Sequence, residues 1–283
     1  MIKERIFTVD RPEFELHGVI VEPETIIPDR PFVVIPNSGL VHHVGTCRSS
    51  VQFTRALAKA GFLALRVDLC QLGDSSTRLD NESMTDDERT IQELQAVLDQ
   101  VITDYMLEHT AKVVMYGLCS GSQNSFKLAV KDDRVVGIMG IDHFGFQNWS
   151  YYCVHYVKQV FRLSPWINRF KKLIGKAMPM VTGEAIDLGD GGFEWVYPPK
   201  EEVEAGYRTL VARQVRMSFV YTGDWSGEYN HKSQFFKMHS TVDFKGLVSV
   251  QYKPEMSHIL SEPESQQAMS DQLVAFASSF VKP

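Results

Sequence analysis

The stretch that decides the fold class is Val113–Ser122, which reads VVMYGLCSGS. A short apolar run, typical of a buried strand, leads directly into Gly117-Leu118-Cys119-Ser120-Gly121, and helical spacing follows over residues 120–130. A strand, a tight turn and a helix in immediate succession are the repeating unit of a parallel sheet with crossover helices. The segment therefore predicts an α/β fold.

Cys119 stands at the centre of this Gly-x-Cys-x-Gly turn, where strand–turn–helix folds carry an exposed nucleophile. Gly117 and Gly121 leave room where side chains would collide with the neighbouring strand and helix. The N-terminus of the following helix favours a thiolate through its free N–H groups and its dipole. Two other interpretations stay open: an inert, buried Cys119, and Ser120 as the nucleophile of a turn shifted by one residue.

Outward from this turn, strand and helix patterns alternate along most of the chain, which predicts a mostly parallel sheet flanked by helices. The first two strands form an antiparallel hairpin at the sheet edge. The predicted strands cover residues 5–10, 15–22, 31–35, 62–67, 112–116, 135–141, 217–221 and 247–252. The predicted helices cover residues 49–60, 86–108, 120–130, 231–239 and 264–280.

The alternation breaks between residues 144 and 208, a stretch rich in Tyr, Trp, Phe and Lys. We predict a single domain, residues 1–283, whose core is residues 1–143 and 209–283 and whose largely helical lid is residues 144–208. The lid aromatics, Trp149 among them, are expected to shape an apolar substrate pocket. Packing of a lid helix explains the same aromatics equally simply.

Composition limits the possible partners. The 283 residues carry a net charge of −6, which gives no reason to expect nucleic acid or an anionic membrane as partner. The N-terminus has no signal-peptide pattern, and no apolar run approaches the roughly 18 to 20 residues that span a bilayer. The four cysteines form no C-x-x-C pair, which argues against a zinc site or a disulfide framework and fits a reducing cytoplasm. The oligomeric state stays open.

The chain resembles the α/β-hydrolase superfamily along nearly its whole length. Within it, three segments resemble the bacterial hydrolases associated with exosortase systems, and the cysteine turn also resembles that of dienelactone hydrolases. These segments are residues 37–42 (NSGLVH), residues 68–75 (DLCQLGDS) and residues 117–121 (GLCSG). Two departures, Ser38 where a histidine is common and Gln71 where a glycine is common, leave the catalytic side chains in place.

The resemblance implies a catalytic triad in the chain order nucleophile, acid, histidine. The histidine is expected after the last strand, where His258 follows residues 247–252, and it would act as the base toward Cys119. The acid is expected after the preceding strand, where Asp224 would fix the imidazole tautomer. Glu228 and Asp142 stay open as alternative acids.

The oxyanion hole needs two N–H donors, and the resemblance places them on the backbone of Ser120 and Leu40. Gly39 and His42, in the same loop as Leu40, are expected to contact the substrate. His42, His43 and His143 lack a carboxylate or cysteine at metal-ligand spacing, so we expect no metal. No cofactor is expected either.

These features predict an enzyme that hydrolyses an ester or thioester of a small-molecule acyl substrate through an acyl-cysteine intermediate. An acyltransferase would use the same triad and differ only in whether the closed site excludes water. A ligand-binding protein that keeps the fold without turnover is the third interpretation, because a fold alone does not establish a function.

Overall fold

The computed structural model describes residues 1–27, 29–80, 84–108, 110–161 and 197–281. The strands are β1 (Lys3–Arg11), β2 (Phe14–Glu22), β3 (Phe32–Pro36), β4 (Ala64–Val67), β5 (Val113–Leu118), β6 (Val135–Ile141), β7 (Arg216–Thr222) and β8 (Val248–Lys253). The helices are a 3-10 turn (Thr46–Arg48), α1 (Ser49–Lys59), α2 (Asp86–Tyr105), α3 (Ser120–Lys131), α4 (Trp149–Phe161), α5 (Lys200–Ala212), α6 (Gln234–Met238) and α7 (Pro263–Ser278).

All eight strands belong to one sheet in the order β1-β2-β4-β3-β5-β6-β7-β8. The β1–β2 hairpin is antiparallel, with Lys3 opposite Glu22 and Arg11 opposite Phe14. β2 is also antiparallel to β4, and every other neighbouring pair is parallel. The predicted fold class, a mostly parallel sheet flanked by helices, is therefore confirmed.

The central strands are apolar throughout because helices cover both faces of the sheet. In β3, for example, Phe32 and Val34 face the larger core, whereas Val33 and Ile35 face the smaller one. Helices α2, α3 and α5 contribute to the larger core, and α1 and α7 contribute to the smaller one. Alternate strand residues thus have separate apolar surroundings, which fixes the register of each strand.

The chain order reverses at the centre of the sheet, where β3 lies between β4 and β5. In open α/β sheets, ligands bind beyond the carboxyl ends of the strands at such a switch point. The loop that follows β3 begins with Asn37, and the turn that follows β5 contains Cys119. The topology therefore brings two of the segments singled out in the sequence to one edge of the sheet.

The predicted lid, residues 144–208, includes α4 and the first part of α5. Helix α5 buries Val203, Tyr207 and Leu210 in the larger core, so residue 208 falls within a helix that packs on the sheet. Residues 162–196 lie outside the described part of the chain, and the lid boundaries stay predictions. Among the helices that the structure describes, none has both the length and the apolar character needed to cross a membrane.

Two histidines, His143 and His239, are fully buried in the larger core. The ring of His143 stacks on Phe219 at a centroid distance of 4.4 Å. Burial lowers the pKa of His239 to about 4, although Glu204 opposes the shift. Burial also lowers the pKa of His143 well below its usual value. Both rings are therefore neutral in the folded protein near neutral pH.

We expect the free energy of unfolding to fall as the pH drops below 6.5 towards 4, because the unfolded chain then binds protons that folded His239 does not. The loss is at most about 1.4 kcal/mol per pH unit for each histidine. Urea unfolding at several pH values in this range would measure it. His239→Gln should flatten the slope, and an unchanged slope in this variant would contradict the assignment.

Candidate active site

The turn after β5 holds Cys119 in a strained backbone conformation, with φ 54° and ψ −120°. A positive φ is uncommon for a residue with a side chain and persists only where the surroundings impose it. A Cβ atom at Gly117 would lie 2.1 Å from the carbonyl carbon of Gly121 and 2.2 Å from the nitrogen of Ser122. Gly117 therefore lets the strand and the helix approach this closely, whereas a Cβ atom at Gly121 would lie 2.9 Å from the carbonyl oxygen of Asn37 in the loop after β3.

The side chains of the two candidate nucleophiles have different partners. Cys119 is half-buried, and it is one of the groups that raise the pKa of the His258 imidazole. The hydroxyl of Ser120 instead accepts a hydrogen bond from the N–H of Gly39 at 2.6 Å. The base candidate is therefore coupled electrostatically to Cys119, while the Ser120 side chain anchors the neighbouring loop.

The imidazole of His258 is hydrogen-bonded to Asp142. The Nδ1 of His258 lies 2.7 Å from Oδ2 of Asp142, a carboxylate that is fully buried at the end of β6. Thr222 donates to the same carboxylate from its backbone N–H at 2.7 Å and from its hydroxyl at 2.6 Å. Three donors thus stabilise the buried charge and fix the orientation of the imidazole.

The predicted acid, Asp224, does not contact the imidazole. Its Oδ2 accepts a hydrogen bond from the backbone N–H of His258 at 2.8 Å, and its side chain is exposed. Asp142 instead occupies the position that was expected for Asp224. Its carboxylate, at the end of β6, contacts both Thr222 of β7 and the ring of His258. Glu228 does not occupy this place in the described contacts either.

The surroundings of His258 favour its charged form. Burial alone would lower its pKa, but hydrogen bonds to Asp142 and Cys119 and the charges of both groups raise the pKa to about 10. The indole of Trp225 stacks on the imidazole at 5.2 Å with nearly parallel planes.

The predicted oxyanion loop is a tight turn that rests on the cysteine turn. The N–H of Val41 donates to the carbonyl of Ser38 at 2.9 Å, and the hydroxyl of Ser38 donates to the carbonyl of Leu118. Together with the bond between Gly39 and Ser120, this places Leu40 beside the start of α3, with 90% of its surface exposed. The geometry brings both predicted backbone donors to one region and leaves their role a prediction.

The other residues predicted to contact the substrate, His42 and Trp149, have exposed side chains. His42 is exposed, whereas His43 binds the fully buried Asp68 through Nδ1 at 2.7 Å and so holds the loop after β3. Trp149 begins α4 with 82% of its surface exposed, and none of the described contacts joins it to Cys119. The described residues contain no group of three metal-ligating side chains.

Sequence reasoning did not single out Thr222, Trp225 or Tyr197. Burial raises the pKa of Tyr197, and nearby negative charges on Glu228, Cys119 and Asp142 raise it further. Its ring packs edge-on against Phe144 at a centroid distance of 5.8 Å. Trp225 follows Asp224 directly, which was a usable signal, but nothing in the sequence near Tyr197 singled this residue out.

Comparison with solved structures identifies the fold as that of the α/β-hydrolases. A dienelactone hydrolase from Anabaena variabilis is similar at 12% identity and a TM-score of 0.58, with 99% of each chain covered. An α/β serine hydrolase homologue from Coxiella burnetii has 14% identity and a TM-score of 0.58, with 96% of each chain covered. An esterase from Pyrococcus furiosus also reaches 14% and 0.58, with 99% of this chain and 91% of that chain covered.

No family model matches the chain, and no curated protein matches it either. At identities of 12% to 14%, the structural likeness establishes the fold and leaves the activity to be argued from the site itself.

Gly117→Ala should lower the free energy of unfolding by about 1 to 3 kcal/mol, because the new methyl group meets backbone atoms that have no room to move. Gly227→Ala is the matched control, since a Cβ atom there meets nothing within 4 Å. Urea unfolding of both variants measures the difference. Equal stability of Gly117→Ala and the wild type would refute the close approach of strand and helix.

Asp142→Asn should lower the pKa of His258, because the variant removes the buried negative charge at Nδ1. Asp224→Asn should change this pKa much less, because Asp224 contacts only the backbone of His258. Titration of the imidazole carbon signals by NMR provides the measurement. A larger shift in Asp224→Asn than in Asp142→Asn would show that the acid has been misassigned.

Proposed function

We propose that the protein is a hydrolase of carboxylic esters or thioesters that acts through an acyl-Cys119 intermediate. The observation that carries the proposal is the bond between His258 and the buried Asp142, together with Cys119 on the strained turn after β5, where it acts on the same imidazole. A nucleophile, a base and a group that orients the base are the minimal set for covalent acyl transfer. The structural neighbours named as an esterase and a dienelactone hydrolase support this chemistry.

In the proposed acylation step, the Cys119 thiolate attacks the substrate carbonyl carbon and forms a new C–S bond. The carbonyl electron pair moves to oxygen, where the backbone N–H groups of Ser120 and Leu40 stabilise the charge. The oxyanion then collapses and breaks the bond to the leaving alcohol or thiol. Protonated His258 donates its proton to that leaving group and becomes the neutral base.

In the proposed deacylation step, neutral His258 removes a proton from water as the water oxygen attacks the thioester carbonyl. Collapse of the second tetrahedral intermediate breaks the C–S bond, releases the carboxylic acid and restores the Cys119 thiolate beside protonated His258. Asp142 keeps Nδ1 protonated throughout, so that Nε2 is the nitrogen that exchanges protons.

The substrate side of the site follows from the surrounding loops. Gly39 and His42 beside the oxyanion turn, and Trp149 at the start of α4, are proposed to contact a small-molecule acyl substrate. The four cysteines are free in the structure, which supports the proposed reducing cytoplasm. An acyltransferase would share every step up to the acyl-enzyme, so the two activities differ in whether water or another acceptor resolves it.

Incubation with a p-nitrophenyl ester should add the mass of the acyl group to Cys119, and intact-mass spectrometry measures the adduct. Cys119→Ala should abolish labelling, whereas Ser120→Ala should retain it, because the Ser120 hydroxyl binds Gly39. Labelling that survives Cys119→Ala but disappears in Ser120→Ala would overturn the assignment of the nucleophile. Release of free acid without an added acceptor separates a hydrolase from an acyltransferase.

A further inference from the structure

The loop after β3 is tied to both residues that flank Cys119. The hydroxyl of Ser38 donates a hydrogen bond to the carbonyl of Leu118, and the N–H of Gly39 donates to the hydroxyl of Ser120 at 2.6 Å. Two consecutive loop residues therefore bind the residues immediately before and after the candidate nucleophile. These bonds place the peptide that follows Gly39 beside the cysteine turn.

A buried side chain, that of Asn37, sets the orientation of this peptide. Its amide donates from Nδ2 to the carbonyl of Gly39 at 3.0 Å. In a planar trans peptide the C=O and the N–H point in opposite directions, so the N–H of Leu40 points away from the Asn37 amide. Because Asn37 is buried and Leu40 is exposed, this N–H is directed from the inner side of the loop toward its open side.

The Asn37 side chain is itself fixed at both of its polar atoms. Its Oδ1 accepts a hydrogen bond from the N–H of Leu69 at 3.2 Å, in the loop that follows β4. An amide oxygen only accepts and an amide nitrogen only donates, so this arrangement satisfies the N–H of Leu69 and the carbonyl of Gly39 at the same time. The orientation of the peptide after Gly39 is thus set from a neighbouring strand of the sheet.

Packing around Gly39 does not hold this peptide. Gly39 has a φ of 51°, and a Cβ atom there would meet nothing within 4 Å. Glycine also has more backbone freedom than any other residue. The restraint on the peptide therefore comes from the two hydrogen bonds at Gly39, which the side chains of Ser120 and Asn37 supply.

Two backbone donors beside the cysteine turn have no partner in the part of the chain that the structure describes. None of the hydrogen bonds found there uses the N–H of Leu40 or the N–H of Ser120. Donors of this kind stabilise a developing oxyanion only if they are held in place before the reaction begins. The side chains that hold them are therefore as important to the rate as the donors themselves.

We propose that the side chains of Asn37 and Ser120 are positioning residues for acyl transfer, which together aim the N–H of Leu40 at the carbonyl oxygen of a substrate bound at Cys119. The inference rests on the proposed hydrolase function and adds two side chains that act through the backbone of Gly39. In this role Ser120 contributes twice, since its own N–H is one proposed donor and its hydroxyl positions the other.

Two substrates that differ only in the carbonyl atom test this role. The transition state of p-nitrophenyl butyrate places its charge on oxygen, whereas that of O-(p-nitrophenyl) thionobutyrate places it on sulfur, a weak hydrogen-bond acceptor. Well-placed donors therefore accelerate hydrolysis of the ester far more than that of the thionoester. The ratio of the two kcat/KM values reports on the donors, because a loss of folded enzyme lowers both values equally.

Ser120→Ala and Asn37→Ala should each lower this ratio about tenfold or more, since removal of one oxyanion donor costs roughly 10²–10³ in kcat and a misplaced donor keeps part of its effect. The loss should appear in kcat for the ester with KM unchanged. Ser120→Thr keeps the hydroxyl and should restore the ratio. Acyl labelling of Cys119 should still occur in Ser120→Ala, but more slowly.

Ser125→Ala and Asn230→Ala are the matched controls. The hydroxyl of Ser125 bonds to the carbonyl of Gly121 at 2.7 Å, and the buried amide of Asn230 donates to the carbonyl of Tyr151 at 3.1 Å. Both controls lose the same chemical group as the test variants, and neither bonds to the loop after β3, so both should keep the wild-type ratio.

Asn37→Asp provides a second test of the amide if Asn37→Ala does not fold. It keeps an oxygen to accept from the N–H of Leu69 and loses only the donor to Gly39, so it should lower the ratio as Asn37→Ala does. An unchanged ratio in a folded Ser120 or Asn37 variant would overturn the role of that side chain. An equal fall of the ratio in the controls would overturn both roles.

The same assay tests the proposed function separately. Hydrolysis of the ester by Cys119→Ala at the wild-type rate would contradict the acyl-cysteine mechanism, and the positioning roles would fall with it. If the wild type hydrolyses neither substrate, both proposals are wrong. If Cys119→Ala is inactive while the Ser120 and Asn37 variants keep the wild-type ratio, only the positioning roles are wrong.

Discussion

The hydrogen bond between the Asp142 carboxylate and His258 is the contact on which the geometry of the site depends. A fully buried carboxylate is costly unless strong donors surround it. Thr222 supplies two of these donors and His258 supplies the third. Because removal of any donor would leave a buried charge less well compensated, the imidazole has one favoured orientation, with Nδ1 on Asp142 and Nε2 free of this bond.

The cysteine turn is positioned by a second constraint, which is steric. Strand β5 and helix α3 approach closely because Gly117 has no side chain, and Cys119 is thereby held at a positive φ between them. The same turn supports the loop after β3 through the bonds from Ser38 and Gly39. Parts of the chain that are about 80 residues apart in sequence are thus fixed relative to one another at the switch point of the sheet.

The charged groups at the centre of the site have opposite signs and compensate one another. Negative groups surround it, and the positive charge favoured at its centre is that of protonated His258. Asp142 compensates this charge through its hydrogen bond to Nδ1 of His258.

The sequence by itself determined the fold class, the cysteine turn and the segment that contains His258, because each depends on local patterns: apolar runs, helical spacing, and glycines around one residue. Local sequence patterns could not decide whether Asp142 or Asp224 is the acid that contacts the imidazole. Both follow parallel strands and both approach His258, and only the packed sheet shows that Asp142 contacts the ring and Asp224 the backbone. The contact between the loop after β3 and the cysteine turn was decided by tertiary structure for the same reason, since Gly39 and Ser120 are distant in the chain.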